Sequence, residues 1–556
     1  MSYQNIYQLF REQAAKYRGE PVFYSRENGV WVAENWEVFD SKVHDFACAL
    51  SAMNFTSGAS VAILAGNIKE WAVCDIGTIA ANGVGVGLYP TSSPEQCAYI
   101  INHSDAEFVV VDTKAQLEKI VGIRSELLKA KAIIVVDETC ADENRAIFSF
   151  NEFLKFGASV RNEILPHIQE TALGANVENT AIMVYTSGTT GKPKGACLSH
   201  RYVLNSVESL RRTIPIFDTD VSFSYLPFCH VAERISGLYN RLYCGASVHF
   251  VDDLTKLGAY MLEVKPTVFA SLPRFFEKIY ARVISDCGSK DVDAQTVKDY
   301  FGGRIRLATS GGAPLPNHVA KFFADANLPI LQAYGLTENI CTAFNRADDF
   351  KFGTVGKPMP MCEIKTANDG EILLKSPMIF SGYHKDAVKT AEMFDANGWL
   401  LTGDLGKIDD DGFLTITGRK KEIIVLSNGK NVAPALLENL MKENHLVSQA
   451  FIYGDCKSYL VAIVTLNQIE AEVYARTRNI EFSNFAELTQ KPEIQSFITE
   501  IVATTNARVS SSEAIKRFTI LERDFQADFN EITPTMKLKR NVINANFSEI
   551  IESLYE

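Results

Sequence analysis

The sequence predicts a layered α/β protein built from several folding units, and three observations carry that class. First, short β-branched runs recur, among them "SVAILA" (60–65), "EFVVVD" (107–112), "AIIVVD" (132–137), "TAIMVY" (180–185), "SVHFVD" (247–252), "TVFASL" (267–272) and "RIRLAT" (304–309), and between many of them lie segments with helical spacing such as Val319, Phe322 and Phe323. That alternation is the mark of layered α/β architecture. Second, three runs lead straight into small polar loops: "TAIMVY" into "TSGTTG", "RIRLAT" into "SGGAP", and "PILQAY" into "GLTE". Ligands of open α/β sheets bind where the carboxyl ends of strands meet such loops, so the three are expected to line one crevice. Third, after about residue 368 the texture changes to "DGEILLKS" and "DDDGFLTITGRKKEIIVLSNGKNV", short strands separated by Asp-Gly and Asn-Gly turns.

These elements define the expected organisation. Residues 1–420 form a large N-terminal domain of layered α/β subdomains plus a β-rich subdomain, and residues 421–556 a small α+β C-terminal domain. The boundary is set near Gly418 to Lys421, where a charged cluster separates two strand-like runs.

At 556 residues the chain is too long for one ordinary core, and roughly three or four folding units are expected. Apolar residues at 47% and charged residues at 22% are globular values. A formal net charge of -12 argues against nucleic acid as the main partner, because that binding leans on clustered cations. The 11 cysteines show no C-x-x-C spacing and read as reduced, mostly buried thiols. The start, "MSYQNIYQLFREQAAKYRGE", has no apolar signal core, and no uncharged apolar run of about 18 residues occurs. The expectation is a cytoplasmic protein with at most peripheral membrane contact.

Several familiar motifs fail. A G-x-x-x-x-G-K-[ST] phosphate loop is excluded because Pro193 follows Lys192. The glycines of "NGVGVGLY" (82–89) miss the dinucleotide spacing and read as tight packing. No G-x-S-x-G elbow is present. What remains is "VYTSGTTGKPKG" (184–195), which crowds hydroxyls, glycines and lysines together. Glycines allow close backbone approach, hydroxyls donate to oxyanions and lysines neutralise charge, so the composition calls for a polyphosphate, with a flexible surface turn as the plain alternative.

Taken in order, "YTSGTTGKPKG", "SGGAP" (310–314), "YGLTE" (334–338), "TGD" (402–404), "GRKKEII" (418–424) and "TPTMKLKR" (533–540) resemble the motif series of the AMP-forming adenylate-forming enzymes, which include acyl-CoA synthetases, adenylation domains and luciferases. The resemblance covers nearly the whole chain. It implies that Thr186, Ser187, Gly188, Thr189, Thr190, Gly191 and Lys194 surround the β- and γ-phosphates of ATP. Tyr334 would stack on adenine, Thr337 reach the α-phosphate and Glu338 hold Mg²⁺; the plain alternative is a strand-to-helix turn capped by Thr337 and Glu338. Gly311, Gly312, Ala313 and Gly335 complete this nucleotide set. Asp404 would accept from the ribose hydroxyls, with Arg419 donating to the ribose or to phosphate. The fuller Y-R-T-G-D form is absent, with Leu400 and Leu401 in place of Tyr and Arg, and "GWLLTGD" is similar to the variant of long-chain acyl-CoA synthetases.

A cation is needed where a carboxylate attacks the α-phosphorus, because two anions must meet. By the resemblance this is Lys537, paired with Arg540; Met536 stands where relatives have Gly, which keeps Lys539 open as the alternative. Lys421 occupies the position of a hinge on which the C-terminal domain would swing after adenylation, or is a surface lysine.

The segment "SYLPFCHVAERISGLY" (224–239) is similar to the P-x-x-H-x-x-E-R stretch of fatty acyl-CoA synthetases, and it places His230 beside the substrate carboxylate; a satisfied structural histidine is the alternative. Parts of "CHVAERISGLY", "TSGGA" and "QAYG" would line the acyl tunnel. The resemblance thus implies ATP- and Mg²⁺-dependent activation of a medium- or long-chain fatty acid to acyl-AMP, then transfer to coenzyme A. A fatty acyl-AMP ligase serving an acyl carrier protein, an aryl or small-acid CoA ligase, and a relative that binds ligand without turnover are the alternatives. Any carrier is expected to act in trans, because only a short helix-like tail follows Arg540.

Overall fold

The computed structural model describes residues 3–556 except 143–144, 187–191, 290, 428–429, 527 and 534–536, and for residue 512 the backbone alone. Its largest sheet has eight strands, in the order Gly382–Tyr383, Lys194–Ser199, Thr180–Thr186, Val84–Leu88, Ser60–Leu64, Ala106–Val111, Ala132–Val135 and Ile147–Ser149. The six strands from Thr180–Thr186 onward are parallel, and the two at the other edge are antiparallel additions. The runs of Val, Ile and Leu in the parallel strands lie buried, as a sheet covered on both faces requires.

Four of the strands predicted from β-branched runs stand in this sheet. Among the other four, Val84–Leu88 is masked by its glycines. It carries glycine at alternate positions and is fully buried, and a Cβ at Gly85 would overlap Asp75 and Arg234, while one at Gly87 would press on Cys229. The expected tight packing is therefore real, and the glycines sit inside a strand.

A second sheet runs Val268–Ser271, Leu307–Ser310 and Ile330–Leu336 in parallel, then Asn339–Phe344 and Lys357–Pro358 antiparallel. A third joins Val221–Ser224, Ser247–Phe250, Pro21–Glu27 and Val30–Asn35. The β-rich region follows as a four-stranded antiparallel sheet, Glu363–Thr366, Glu371–Lys375, Leu400–Ile408 and Leu414–Arg419. Beyond it, Val447–Tyr453, Leu460–Leu466 and Ile515–Ile520 form a three-stranded sheet whose apolar residues pack with the helices Pro434–Lys442, Gln468–Thr477 and Pro492–Asn506. That core draws on residues from Ile424 onward, whereas the main core ends at Leu414 with Ile416 against it. Among the described residues no helix is long and apolar enough to cross a membrane.

The segment Ala232–Tyr239 is a π-helix, a rare form that persists only when its surroundings hold it. Buried charge holds it here. Arg234 and Asp75 have no exposed side-chain surface, and Arg234 donates from Nε to Asp75 Oδ2 at 3.2 Å, with a second contact from Nη2 to Oδ1. Tyr239 donates to Asp75 Oδ2 at 2.8 Å, the Gly85 carbonyl accepts from Arg234 at 3.1 Å, and Trp71 lies 4.8 Å from the guanidinium. Glu233 accepts from Ser224 and Arg241, each at 2.7 Å. Replacing Arg234 with Met leaves the buried Asp75 without its guanidinium partner. We expect a loss of about 3–5 kcal/mol in urea unfolding; a loss under about 1 kcal/mol would contradict the brace.

Candidate active site

The "YGLTE" stretch is the turn of a β-hairpin, Ile330–Leu336 with Asn339–Phe344, and not the strand-to-helix turn that capping residues allow. The register shifts between Tyr334 and Leu336, where a Cβ at Gly335 would collide with the Ile340 backbone. Only glycine permits that approach. Tyr202, fully buried in the helix His200–Thr213, braces the turn by donating to the Thr337 carbonyl and accepting from Ile340 N–H, both at 3.0 Å. No local signal in the sequence marks Tyr202.

Asp404 is the centre of the site. It is 5% exposed, its Oδ2 accepts from the Tyr334 hydroxyl at 2.6 Å and its Oδ1 from Arg419 Nε at 2.7 Å. The last contact follows from register, since Asp404 and Arg419 face each other on adjacent antiparallel strands. Burial first, and the Asp404 carboxylate second, push the Tyr334 phenol well above its ordinary range, so it remains the donor. Leu400, at the place of the missing Tyr, is fully buried in the main core.

The third participant comes from the C-terminal region. The Lys537 ammonium is pushed below the usual lysine range by desolvation and then by Arg419, with Asp404 and Glu422 pulling the other way. Thr533 and Lys537 exchange two hydrogen bonds, at 2.8 and 3.0 Å. Lys539 instead bonds Asn530, and Arg540 donates to Glu438 at 2.6 Å beside the Phe451 ring. Of the two candidate lysines, Lys539 is engaged by Asn530, and Lys537 is the one whose ammonium feels the charges of Arg419 and Asp404. Arg274 of the large region and Asp524 of the small one approach to 4.0 Å across the same junction.

His230 stands just before the π-helix. Its Nδ1 accepts from the Ala232 N–H at 3.2 Å, which leaves the ring proton on Nε2. Burial, and then repulsion from Lys537, lower its pKa to about 4.

Of the remaining predicted residues, Thr186 ends one strand and pairs with Lys194, which opens the next. Ser187, Gly188, Thr189, Thr190 and Gly191 lie outside the described residues. Gly311, Gly312 and Ala313 follow the strand Leu307–Ser310, with Ala333 of the adjacent strand the nearest neighbour of Gly311. Glu338 is 9% exposed beside the hairpin turn. Among the described residues no group of three or more His, Cys, Asp or Glu side chains could hold a metal ion. A cation here would rest on Glu338 and on oxygens that a polyphosphate and water bring, which is the habit of Mg²⁺. Lys421 is exposed in the short turn Lys420–Glu422, while its neighbour Lys420 is paired with Asp369 and Glu371, each at 2.7 Å.

The lowered pKa of His230 carries a sign. An unfolded histidine takes up a proton near pH 6.5, and the folded chain refuses it until about pH 4, so folding stability falls as pH drops through that window. His200 and His249 act in the same direction. His230→Gln should lower the protons linked to unfolding there by about one, read from the slope of Tm against pH. An unchanged slope would place His230 outside the desolvated cleft.

The chain resembles known proteins along most of its length. Residues 10–384 match the family model described as AMP-binding enzyme, and residues 421–556 match that described as AMP-binding enzyme C-terminal domain. The long-chain-fatty-acid–CoA ligase FadD15 of Mycobacterium bovis is 32% identical over 96% of this chain and 94% of its own length. The long-chain-fatty-acid–CoA ligase ACSBG1 of Rattus norvegicus is 31% identical over 99% of this chain and 85% of its own. Among solved structures, the anthranilate CoA ligase AuaEII in complex with anthranoyl-AMP superposes with a TM-score of 0.78 at 19% identity, covering 98% of this chain and 97% of that one. A fatty acyl CoA synthetase of Mycobacterium tuberculosis gives 0.69 at 22% identity, covering 98% and 99%; at these identities the likeness is one of fold. With both family models matched in order over most of its length, this chain belongs to the AMP-binding enzyme family.

Proposed function

We propose that the protein activates a medium- or long-chain fatty acid with ATP and transfers it to coenzyme A. The observation that carries this reading is the hydrogen-bonded set Tyr334–Asp404–Arg419, whose charged members also act on the Lys537 ammonium. The fatty-acid assignment is supported by the names of the relatives and by their coverage.

In the first step a carboxylate oxygen forms a bond to the α-phosphorus and the bond to pyrophosphate breaks. Asp404 and Arg419 hold the ribose, Tyr334 and Gly335 flank the adenine, Gly311, Gly312 and Ala313 line its edge, and Thr337 donates to the α-phosphate. Thr186, Lys194 and residues 187–191 take the outgoing phosphates. Lys537 supplies positive charge where the two anions meet, a term that is large in a water-poor cleft. His230, neutral at pH 7, donates from Nε2 to the carboxylate without adding a second full charge beside Lys537. Mg²⁺, held by Glu338, would supply charge neutralisation on the phosphates.

In the second step the CoA sulfur attacks the acyl carbon, the carbon–oxygen bond to AMP breaks, and the thiol proton leaves to solvent. The division at 420/421 and a hinge at Lys421 would let residues 421–556 withdraw Lys537 to admit the thiol. Each core packs within its own side of that junction, and few torsions need change. A cytoplasmic setting fits this chemistry. An acyl carrier protein is the alternative acceptor.

The test is product analysis by mass spectrometry with Mg²⁺, ATP and acids from acetate to palmitate and benzoate, with and without CoA. Acyl-CoA and AMP are expected, strongest at one chain length because burial contributes about 0.8 kcal/mol per methylene. Acyl-AMP that accumulates regardless of CoA would assign the acceptor role to a carrier protein.

A further inference from the structure

Glu338 makes an unequal use of its two carboxylate oxygens. Its backbone carbonyl accepts from Phe380 N–H at 2.9 Å, and its Oε1 accepts a hydrogen bond from the Tyr383 hydroxyl. Among the described residues no other hydrogen bond reaches the carboxylate, so Oε2 is left to a ligand.

Tyr383 has little freedom of its own. Its backbone pairs with Ala196 at the edge of the eight-stranded sheet, and its N–H donates to Thr390 Oγ1 at 2.9 Å. Its ring meets Phe380 edge to face at 4.9 Å, and the Lys194 ammonium sits 5.1 Å above the ring centroid. One anchored side chain therefore touches both Lys194 and the Glu338 carboxylate.

We infer that Tyr383 is a positioning residue which occupies one oxygen of Glu338 and fixes the other as a single-point ligand for a small cation that accompanies ATP. The inference rests on the reading of Glu338 as the cation ligand. Its chemical consequence is selectivity. Mg²⁺ keeps most of its water and takes one carboxylate oxygen in a strict octahedron, whereas Ca²⁺ is larger and accepts both oxygens of one carboxylate. With Tyr383 on Oε1 the two-oxygen mode is closed, which disfavours Ca²⁺.

The experiment is calorimetric titration of ATP into the full chain, without metal and with Mg²⁺ or Ca²⁺, for wild type, Tyr383→Phe and Glu338→Gln. The Phe variant keeps the ring on Phe380 and under Lys194, and an unchanged metal-free ATP affinity checks that the site is intact. A hydrogen bond to a charged group is lost, so the ratio of Mg²⁺·ATP to Ca²⁺·ATP affinity should fall by about tenfold. Glu338→Gln should abolish the metal dependence of binding. A ratio unchanged in Tyr383→Phe but lost in Glu338→Gln would overturn the positioning role while leaving Glu338 as the ligand. Metal dependence that survives Glu338→Gln would overturn the reading of Glu338 and the inference with it. Should Tyr383→Phe lose metal-free ATP binding, Tyr383 acts on nucleotide binding at large, and the selectivity role is likewise overturned.

Discussion

The hydrogen-bonded carboxylate of Asp404 is the point on which the site depends. It ties Tyr334, from the second parallel sheet, to Arg419, from the antiparallel sheet, and so joins two layers that share no strand. With Oδ1 and Oδ2 each engaged once, the carboxylate keeps further lone pairs free to accept from a diol. The same charge offsets Arg419 around Lys537. Without it only Glu422 would offset the repulsion between Arg419 and Lys537.

A second constraint acts from below the cleft. The Arg234–Asp75 pair, capped by Tyr239 and Gly85, is removed from water, and the helix it braces begins beside His230. A buried pair is weak evidence for net stability, because desolvation offsets much of the attraction. It is better evidence of geometry: the pair ties a π-helical turn to the helix that carries Asp75 and to the strand that carries Gly85. The Glu-Arg dipeptide after His230 thus works inside the protein.

Much of the site was legible in the sequence because its chemistry is local. Small polar loops follow predicted strands, and each of the runs 334–338, 402–404 and 418–424 carries its own candidate side chain. What escaped depends on long-range partners. Tyr202 braces residues about 135 positions away, and Tyr383 reaches Glu338 across 45. Neither has a local signature, since a tyrosine in a helix or a short edge strand reads as packing. The hairpin form of "YGLTE" was hidden because Thr and Glu there satisfy a helix cap equally well, and the strand Val84–Leu88 because its alternate glycines lower β-propensity while making room for Arg234 and Cys229. That Lys539 is engaged by Asn530 likewise depends on the fold.

The central claim is that a lysine from one region completes an adenylating site built by the other. Fatty-acid-dependent exchange of labelled pyrophosphate into ATP, compared between wild type and Lys537→Ala, tests it most directly, because exchange reports the first step alone. We predict exchange only when a fatty acid is present, and a fall of about 10²–10³-fold in the variant, with nucleotide still bound. Exchange at the wild-type rate in Lys537→Ala, or no exchange in wild type with any acid, would contradict the account.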